Sequence, residues 1–205
     1  MALEGFRLFA QRLARPAQEQ LLAAIRDVVA RAPLYTPTMP RTGRPMSVAM
    51  TNCGPLGWVT DKARGYRYQA THPQTGAPWP AMPEALLALW REVGSPRTTP
   101  EACLVNFYAA EARLGLHQDM DEQDRSAPVV SVSLGDDAWF RIGGLARTDP
   151  TERLRLRSGD VVVLGGAARM AFHGVDRIIA GSSRLLAEGG RINLTLRRVT
   201  AIPAD

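Results

Sequence analysis

The rhythm of hydrophobic and polar positions changes near residue 100. Upstream, Leu21, Leu22, Ile25, Val28, Val29 and Ala32 recur at helical spacing after Pro16, which predicts an amphipathic helix over residues 17–32. A second helix is predicted over 84–93, opened by Pro83 and stopped by Gly94, with Leu86, Leu87, Trp90 and Val93 on one face. Residues 33–82 between them are rich in Pro, Gly and Thr and carry Trp58, Tyr66, Tyr68 and Trp79; they read as short strands and long loops. Downstream, short β-rich runs follow one another at Leu104–Tyr108, Val129–Leu134, Trp139–Ile142, Leu154–Arg157, Val161–Leu164 and Ile192–Val199. Glycines at 135, 143–144, 159 and 165–166 separate them. Many short strands without intervening helices predict a sandwich or jelly roll rather than a doubly wound sheet. The expected architecture is mainly β with α+β character: a helical, loop-rich front over about 1–100 and a β-core over about 101–200, forming one domain across 1–205.

Bulk properties narrow the class. A chain of 205 residues can bury one real core. No apolar run approaches the roughly 18 residues of a membrane span, and the N-terminal MALEGFRLFAQRLARP mixes charge among its apolar residues too early for a signal-peptide core. A cytoplasmic protein without membrane contact, acting as a monomer, is expected. Cys53 and Cys103 lack metal-ligand spacing and are too few for a disulfide framework, so they read as buried thiols. Net charge is +5, with Lys62 the only lysine among 25 basic residues. A biased base composition gives the same arginine skew, but a positive surface favours a polyanionic partner through counterion release.

Candidate chemistry begins with the three histidines, His72, His117 and His173. His117 lies in LGLHQDMD, two residues before Asp119. On an extended strand, positions i and i+2 share a face, so an imidazole and a carboxylate would converge. His173, in AFHGVD beyond the β-run, is the candidate for a second imidazole. Two histidines and one carboxylate hold Fe(II) by one face and leave positions for co-substrate and oxygen. Alone, this spacing also suits a surface histidine beside a solvated aspartate. RINLTLR adds to it: at period two, Arg191, Asn193, Thr195 and Arg197 share one face, and Ile192, Leu194 and Leu196 the other. A half-buried strand with a wet polar face explains the alternation. A polar face turned inward would instead offer two planar forks to a dicarboxylate.

The order H-x-D, then H, then R-x-N-x-T-x-R resembles the AlkB family of Fe(II)- and 2-oxoglutarate-dependent dioxygenases. NFYAAEARLGLHQDMDEQDRSAPVVSVSLG, RSGDVVVLGGAARMAFHG, MSVAMTNCGPLGW and THPQTGAPWPAMP are similar to further family segments, so the likeness covers roughly residues 40–200. It implies a double-stranded β-helix capped by a nucleotide-recognition lid. It also implies His117, Asp119 and His173 as iron ligands, and Arg191 and Arg197 as partners of the two carboxylates of 2-oxoglutarate, with Arg197 on the one far from the metal. Asn106, Tyr108 and Asn193 would complete that pocket. In the lid, Trp58 would stack on a flipped base, with Tyr66 and Tyr68 near its phosphates; Asp121 would read an exocyclic amine and Arg147 would line the base pocket.

The implied activity is oxidative removal of N-methyl groups, such as those of 1-methyladenine and 3-methylcytosine, from single-stranded or locally unpaired DNA or RNA. O2 and 2-oxoglutarate would be consumed, and succinate and formaldehyde released. Two departures stand out: Leu164 replaces a tryptophan expected near the metal, and VTDKARG is one residue longer than the family pattern. Alternatives are the same fold acting on a tRNA base or a protein side chain, or a silent jelly roll that only binds nucleic acid.

Overall fold

The computed structural model describes residues 3–201. In chain order its front half holds β1 (Phe6–Phe9), α1 (Arg15–Arg31), β2 (Ala49–Cys53), β3 (Gly57–Asp61), β4 (Gly65–Gln69) and α2 (Glu84–Leu89). Then follow β5 (Ala102–Tyr108), β6 (Leu114–His117), β7 (Val129–Gly135), β8 (Asp137–Ile142), β9 (Glu152–Leu156), β10 (Val161–Leu164), β11 (His173–Ile179) and β12 (Arg191–Arg197). They form a six-stranded sheet ordered β1-β10-β7-β12-β5-β2, a four-stranded sheet ordered β6-β11-β8-β9, and the separate hairpin β3-β4. This is the double-stranded β-helix expected from the sequence.

Both faces of the larger sheet are covered, which is why its strands read as apolar runs. On β10, Val161 and Val163 join the cluster beneath the helices, where Leu21, Ile25 and Val28 of α1 and Leu86 of α2 are buried. Val162 and Leu164 face the other way, into the cluster between the sheets with Phe140, Ile142 and Val175. The same alternation decides the site. Leu194 and Leu196 of β12 pack toward the helices, so Arg191, Asn193, Thr195 and Arg197 must face the space between the sheets. Leu164, expected near the metal, is fully buried packing in that inter-sheet cluster.

Several boundaries differ from expectation. Helix α1 begins at Arg15 and takes Pro16 into its first turn, where proline's missing N–H costs nothing. The helix predicted to reach residue 93 is α-helical only to Leu89 and continues as a π-helical turn over Trp90–Gly94. Trp90 is fully buried there, and its indole N–H reaches the Thr98 carbonyl at 2.8 Å. Strands β1, β6 and β11 lay outside the sequence reading, because glycine or charge interrupts each apolar pattern.

The β3-β4 hairpin turns through residues 62–64, with Gly65 at φ 68°, a conformation that favours glycine. The longer VTDKARG segment therefore ends in an exposed turn. Trp58 pairs with Tyr68 and Thr60 with Tyr66, which places both tyrosines on the face that carries Trp58. Among the described residues, no helix is long and apolar enough to cross a membrane.

Candidate metal and co-substrate site

His117 is the last residue of β6, and His173, the first of β11, is its direct antiparallel partner. Gly174 lets the two strands approach: a Cβ there would stand 2.6 Å from the Leu114 carbonyl oxygen. The imidazole centroids are 4.5 Å apart. Each Nδ1–H donates to a carbonyl two residues back, His117 to Gly115 at 2.9 Å and His173 to Ala171 at 3.0 Å. A carbonyl can only accept, so each ring carries its proton on Nδ1, which leaves Nε2 as the atom able to ligate a metal.

Those Nε2 atoms face the Asp119 carboxylate, at 3.6 Å from Oδ1 for His117 and 3.8 Å from Oδ2 for His173. The ligand atoms of the three residues lie within 4.8 Å of one another. Asp119 Oδ2 is buried without a hydrogen-bond donor. Burial holds the His173 imidazolium down to a pKa of about 4, helped by the neighbouring His117. Burial works to raise the Asp119 carboxyl, but the Arg197 guanidinium, the two imidazoles and Arg169 together more than offset it and hold the acid well below the usual carboxylate range. Three converging lone-pair donors with no hydrogen among them suit a divalent cation, and two nitrogens with one oxygen suit Fe(II).

The strand argument for the His117–Asp119 pair needs correcting. The ladder ends at His117, so Asp119 lies beyond the pleat. Its position is set by arginines instead: Arg197 Nη2 donates to Oδ1 at 2.6 Å, and Arg169 Nη1 donates to its main-chain oxygen at 2.6 Å.

The two arginines of β12 are both buried, yet their surroundings differ. Arg197 meets Asp119 and Glu122, with Glu122 Oε1 at 3.0 Å from Nη1. Arg191 donates only to neutral oxygens, Ser133 Oγ at 2.6 Å and the Asp136 carbonyl at 3.3 Å, and its Nε has no partner. Burial lowers its pKa. Tyr108 is its direct partner on β5, and burial pushes that phenol up to about 12, so it stays an O–H donor. Arg197 therefore stands beside Asp119, at the end of β12 near the candidate metal ligands, whereas Arg191 makes no hydrogen bond to an acid.

Asn106 and Asn193 are cross-strand partners between these ends. Asn193 Nδ2 is directed to Ser131 Oγ at 2.7 Å, and its Oδ1 accepts from Thr195 at 2.8 Å, so its amide is engaged within the sheet.

At the mouth, Trp58 and Tyr66 stack with ring centroids 5.5 Å apart, and the Trp58 indole donates to Asp121 Oδ2 at 2.7 Å. Tyr66 and Asp121 are exposed. Arg147 donates to the Leu116 carbonyl at 2.7 Å, beside the His117 strand. Tyr68 departs from its expected place near phosphates: its hydroxyl turns inward to Glu122 and Arg197. His72 stands apart, buried and bonded through Nε2 to the Pro33 carbonyl at 2.8 Å.

Sequence reasoning missed Glu122, Arg169 and Ser133. Isolated charged residues read as solvated, and nothing local marks Glu122 or Arg169 as buried. Ser131 and Ser133 did leave a signal: two small polar residues at period two within VVSVSLG, which share the inward face of β7.

Comparison with known proteins agrees with this geometry. Residues 5–197 match the 2OG-Fe(II) oxygenase superfamily. The chain is 57% identical over 194 residues to an alpha-ketoglutarate-dependent dioxygenase AlkB homolog of Caulobacter vibrioides, covering 95% of this chain and 87% of that protein. It is 48% identical over 192 residues to alpha-ketoglutarate-dependent dioxygenase AlkB of Escherichia coli, covering 92% and 88%. The solved structure of OsALKBH1 superposes with a TM-score of 0.83 at 32% identity, over 97% of this chain and 98% of that one. Matched along nearly its whole length, the chain belongs to the AlkB family of the 2OG-Fe(II) oxygenase superfamily and is an Fe(II)- and 2-oxoglutarate-dependent dioxygenase.

Proposed function

We propose that this dioxygenase removes N-methyl groups from bases of DNA or RNA, with 1-methyladenine and 3-methylcytosine as preferred lesions, and so repairs alkylation damage as a monomer in the cytoplasm. The observation that carries this reading is the Trp58–Tyr66 stack, joined by one hydrogen bond to Asp121, two residues from the metal carboxylate Asp119. A flat aromatic platform beside a metal site is what chemistry on a base substituent needs, because the base must leave its stack and be held by its face.

When bound, iron together with 2-oxoglutarate and O2 supplies the oxidation that converts an N-methyl group to formaldehyde. His117, Asp119 and His173 hold the metal. Arg191, Ser133 and Tyr108 form a deep anion pocket for the remote carboxylate of 2-oxoglutarate, whose charge compensates a guanidinium that is otherwise buried without an acid. Arg197 orients Asp119 and stands beside the carboxylate nearer the metal. On the substrate side, Trp58 and Tyr66 present ring faces, and Asp121 accepts from an exocyclic amine and attracts a cationic methylated ring. Arg147, at the rim, adds positive charge for the polyanionic chain. Methylation at these ring positions blocks pairing, so unpaired sites are cheaper to extrude.

The test is mass spectrometry of oligonucleotides carrying 1-methyladenine or 3-methylcytosine, as DNA and as RNA, incubated with Fe(II), ascorbate and 2-oxoglutarate. Loss of one methylene mass in step with succinate release is expected. Turnover of 2-oxoglutarate coupled to a methylated peptide, with every oligonucleotide unchanged, would overturn the reading.

A further inference from the structure

Glu122 is a charge withdrawn from water: its side chain is 0% exposed. Removing a carboxylate from water costs several kcal/mol unless cations and hydrogen bonds compensate it. Two guanidiniums do so here. Arg169 Nη2 donates to Oε2 at 3.0 Å, and Arg197 Nη1 donates to Oε1 at 3.0 Å. Arg197 continues through Nη2 to Asp119 Oδ1, and Arg169 returns through Nη1 to the Asp119 main-chain oxygen. The four residues close a ring of two cations and two anions around the metal carboxylate.

One spoke leaves that ring. The Tyr68 hydroxyl, on the β3-β4 hairpin, donates to Glu122 Oε1 and accepts from Arg197 Nη1 at 3.0 Å. Tyr68 is the direct cross-strand partner of Trp58, which binds the adjacent Asp121. The hairpin thus grips consecutive residues of the 119–122 segment: the exposed one through its base platform, the buried one through its tyrosine.

We propose that Glu122 is a positioning residue that ties this hairpin to Arg197, so that filling the 2-oxoglutarate pocket and setting the base platform are coupled events. Arg197 has one guanidinium to divide among Asp119, Glu122 and Tyr68, and its Nε is unpartnered. A carboxylate arriving beside it changes how that fork is shared, and Tyr68 registers the change. Trp58 moves with Tyr68 because the two are paired. The proposal rests on the base-platform reading of the hairpin, but its first test uses no nucleic acid.

Hydrogen exchange of residues 57–69 is measured in Mn(II)-loaded protein with and without 2-oxoglutarate, in wild type, Tyr68→Phe and Glu122→Gln. Wild type gains protection in the hairpin when 2-oxoglutarate is added. Both variants lose that response while titration calorimetry still registers 2-oxoglutarate binding. Tyr68→Phe removes one hydroxyl, so it keeps the test decisive if Glu122→Gln folds poorly. Because coupling is reciprocal, a methylated single-stranded oligonucleotide tightens 2-oxoglutarate by about fivefold or more in wild type and by about onefold in either variant. Equal hairpin protection in Tyr68→Phe and wild type would overturn the proposal. A normal exchange response with no oligonucleotide binding would spare the tie and count against the nucleic-acid reading instead.

Discussion

Arg191 and Arg197 stand on the same face of one strand, both below a tenth exposed, and the fold treats them in opposite ways. Around Arg197, Asp119 and Glu122 supply two carboxylates; burial works to lower its pKa, but these acids and Tyr68 together outweigh burial and push it up. Around Arg191 are a serine hydroxyl, a carbonyl and a phenol, with Asp137 and Asp160 acting only from beyond hydrogen-bond contact, and burial lowers its pKa. A motif that reads as symmetric, R-x-N-x-T-x-R, therefore has one end already neutralised and one end waiting for an anion. The neutralised end holds Asp119, and the other is the end proposed to take a carboxylate of 2-oxoglutarate. A dicarboxylate fits this asymmetry, because only its remote end meets an uncompensated cation.

The largest expected effect separates the two ends by stability. Arg197→Met leaves two buried carboxylates short of a partner and should destabilise the metal-free protein by about 3–5 kcal/mol. Arg191→Met removes a buried cation that makes no hydrogen bond to an acid, and should be neutral to stabilising, within about 1 kcal/mol of zero. Urea unfolding of the two variants checks this, and equal losses would erase the contrast. Binding should show the reverse bias. Arg191→Met should weaken 2-oxoglutarate by about 3 kcal/mol, on the order of a hundredfold, because the remote carboxylate then enters without its charge partner. Calorimetry on Mn(II)-loaded protein reads the loss, and Mn(II) affinity measured alone should not move.

Metal binding sharpens the same comparison at smaller scale. Mn(II) at about a hundred times its Kd should stabilise the wild type by about 2.7 kcal/mol. Arg191→Met should keep that gain, since it touches no ligand, and His173→Ala should lose it. Thermal melts with and without the metal distinguish them; a retained shift in His173→Ala would remove that imidazole from the ligand set.

How much of this was legible in the sequence follows from how local each feature is. The inward face of β12 was readable because period-two alternation is a property of seven consecutive residues, and β10 was bounded correctly because VVVL is an apolar run closed off by Gly159 and Gly165. The ligand trio was readable as residue types, but a strand pleat does not place Asp119: Arg197 holds its carboxylate and Arg169 its main-chain oxygen, both from distant elements. Nothing local in RSAP or GGAARM says that Arg169 lies under the metal loop. That Arg197 and not Arg191 meets Asp119 and Glu122 was not legible for the same reason, since those contacts run across the fold. Tyr68 was misplaced because a hairpin pattern assigns a face but not which part of that face meets the core.

The hairpin repeats the arginine contrast with smaller energies. Tyr66 and Tyr68 share one strand face, yet Tyr66 is 48% exposed on the Trp58 ring while Tyr68 is engaged with Glu122 and Arg197. Tyr66→Ala should leave folding stability within about 0.5 kcal/mol of wild type, since it removes surface stacking alone. It should weaken binding of a methylated single-stranded oligonucleotide by about 1 kcal/mol, through loss of one aromatic face from the platform. Tyr68→Phe should reverse that ranking, losing about 1–2 kcal/mol of stability because its hydroxyl bonds charged groups. Paired denaturation and fluorescence-anisotropy titrations on these two variants separate platform from anchor. If Tyr66→Ala instead lowers stability and leaves oligonucleotide affinity unchanged, the Trp58–Tyr66 stack is hairpin packing, and the base must be held elsewhere.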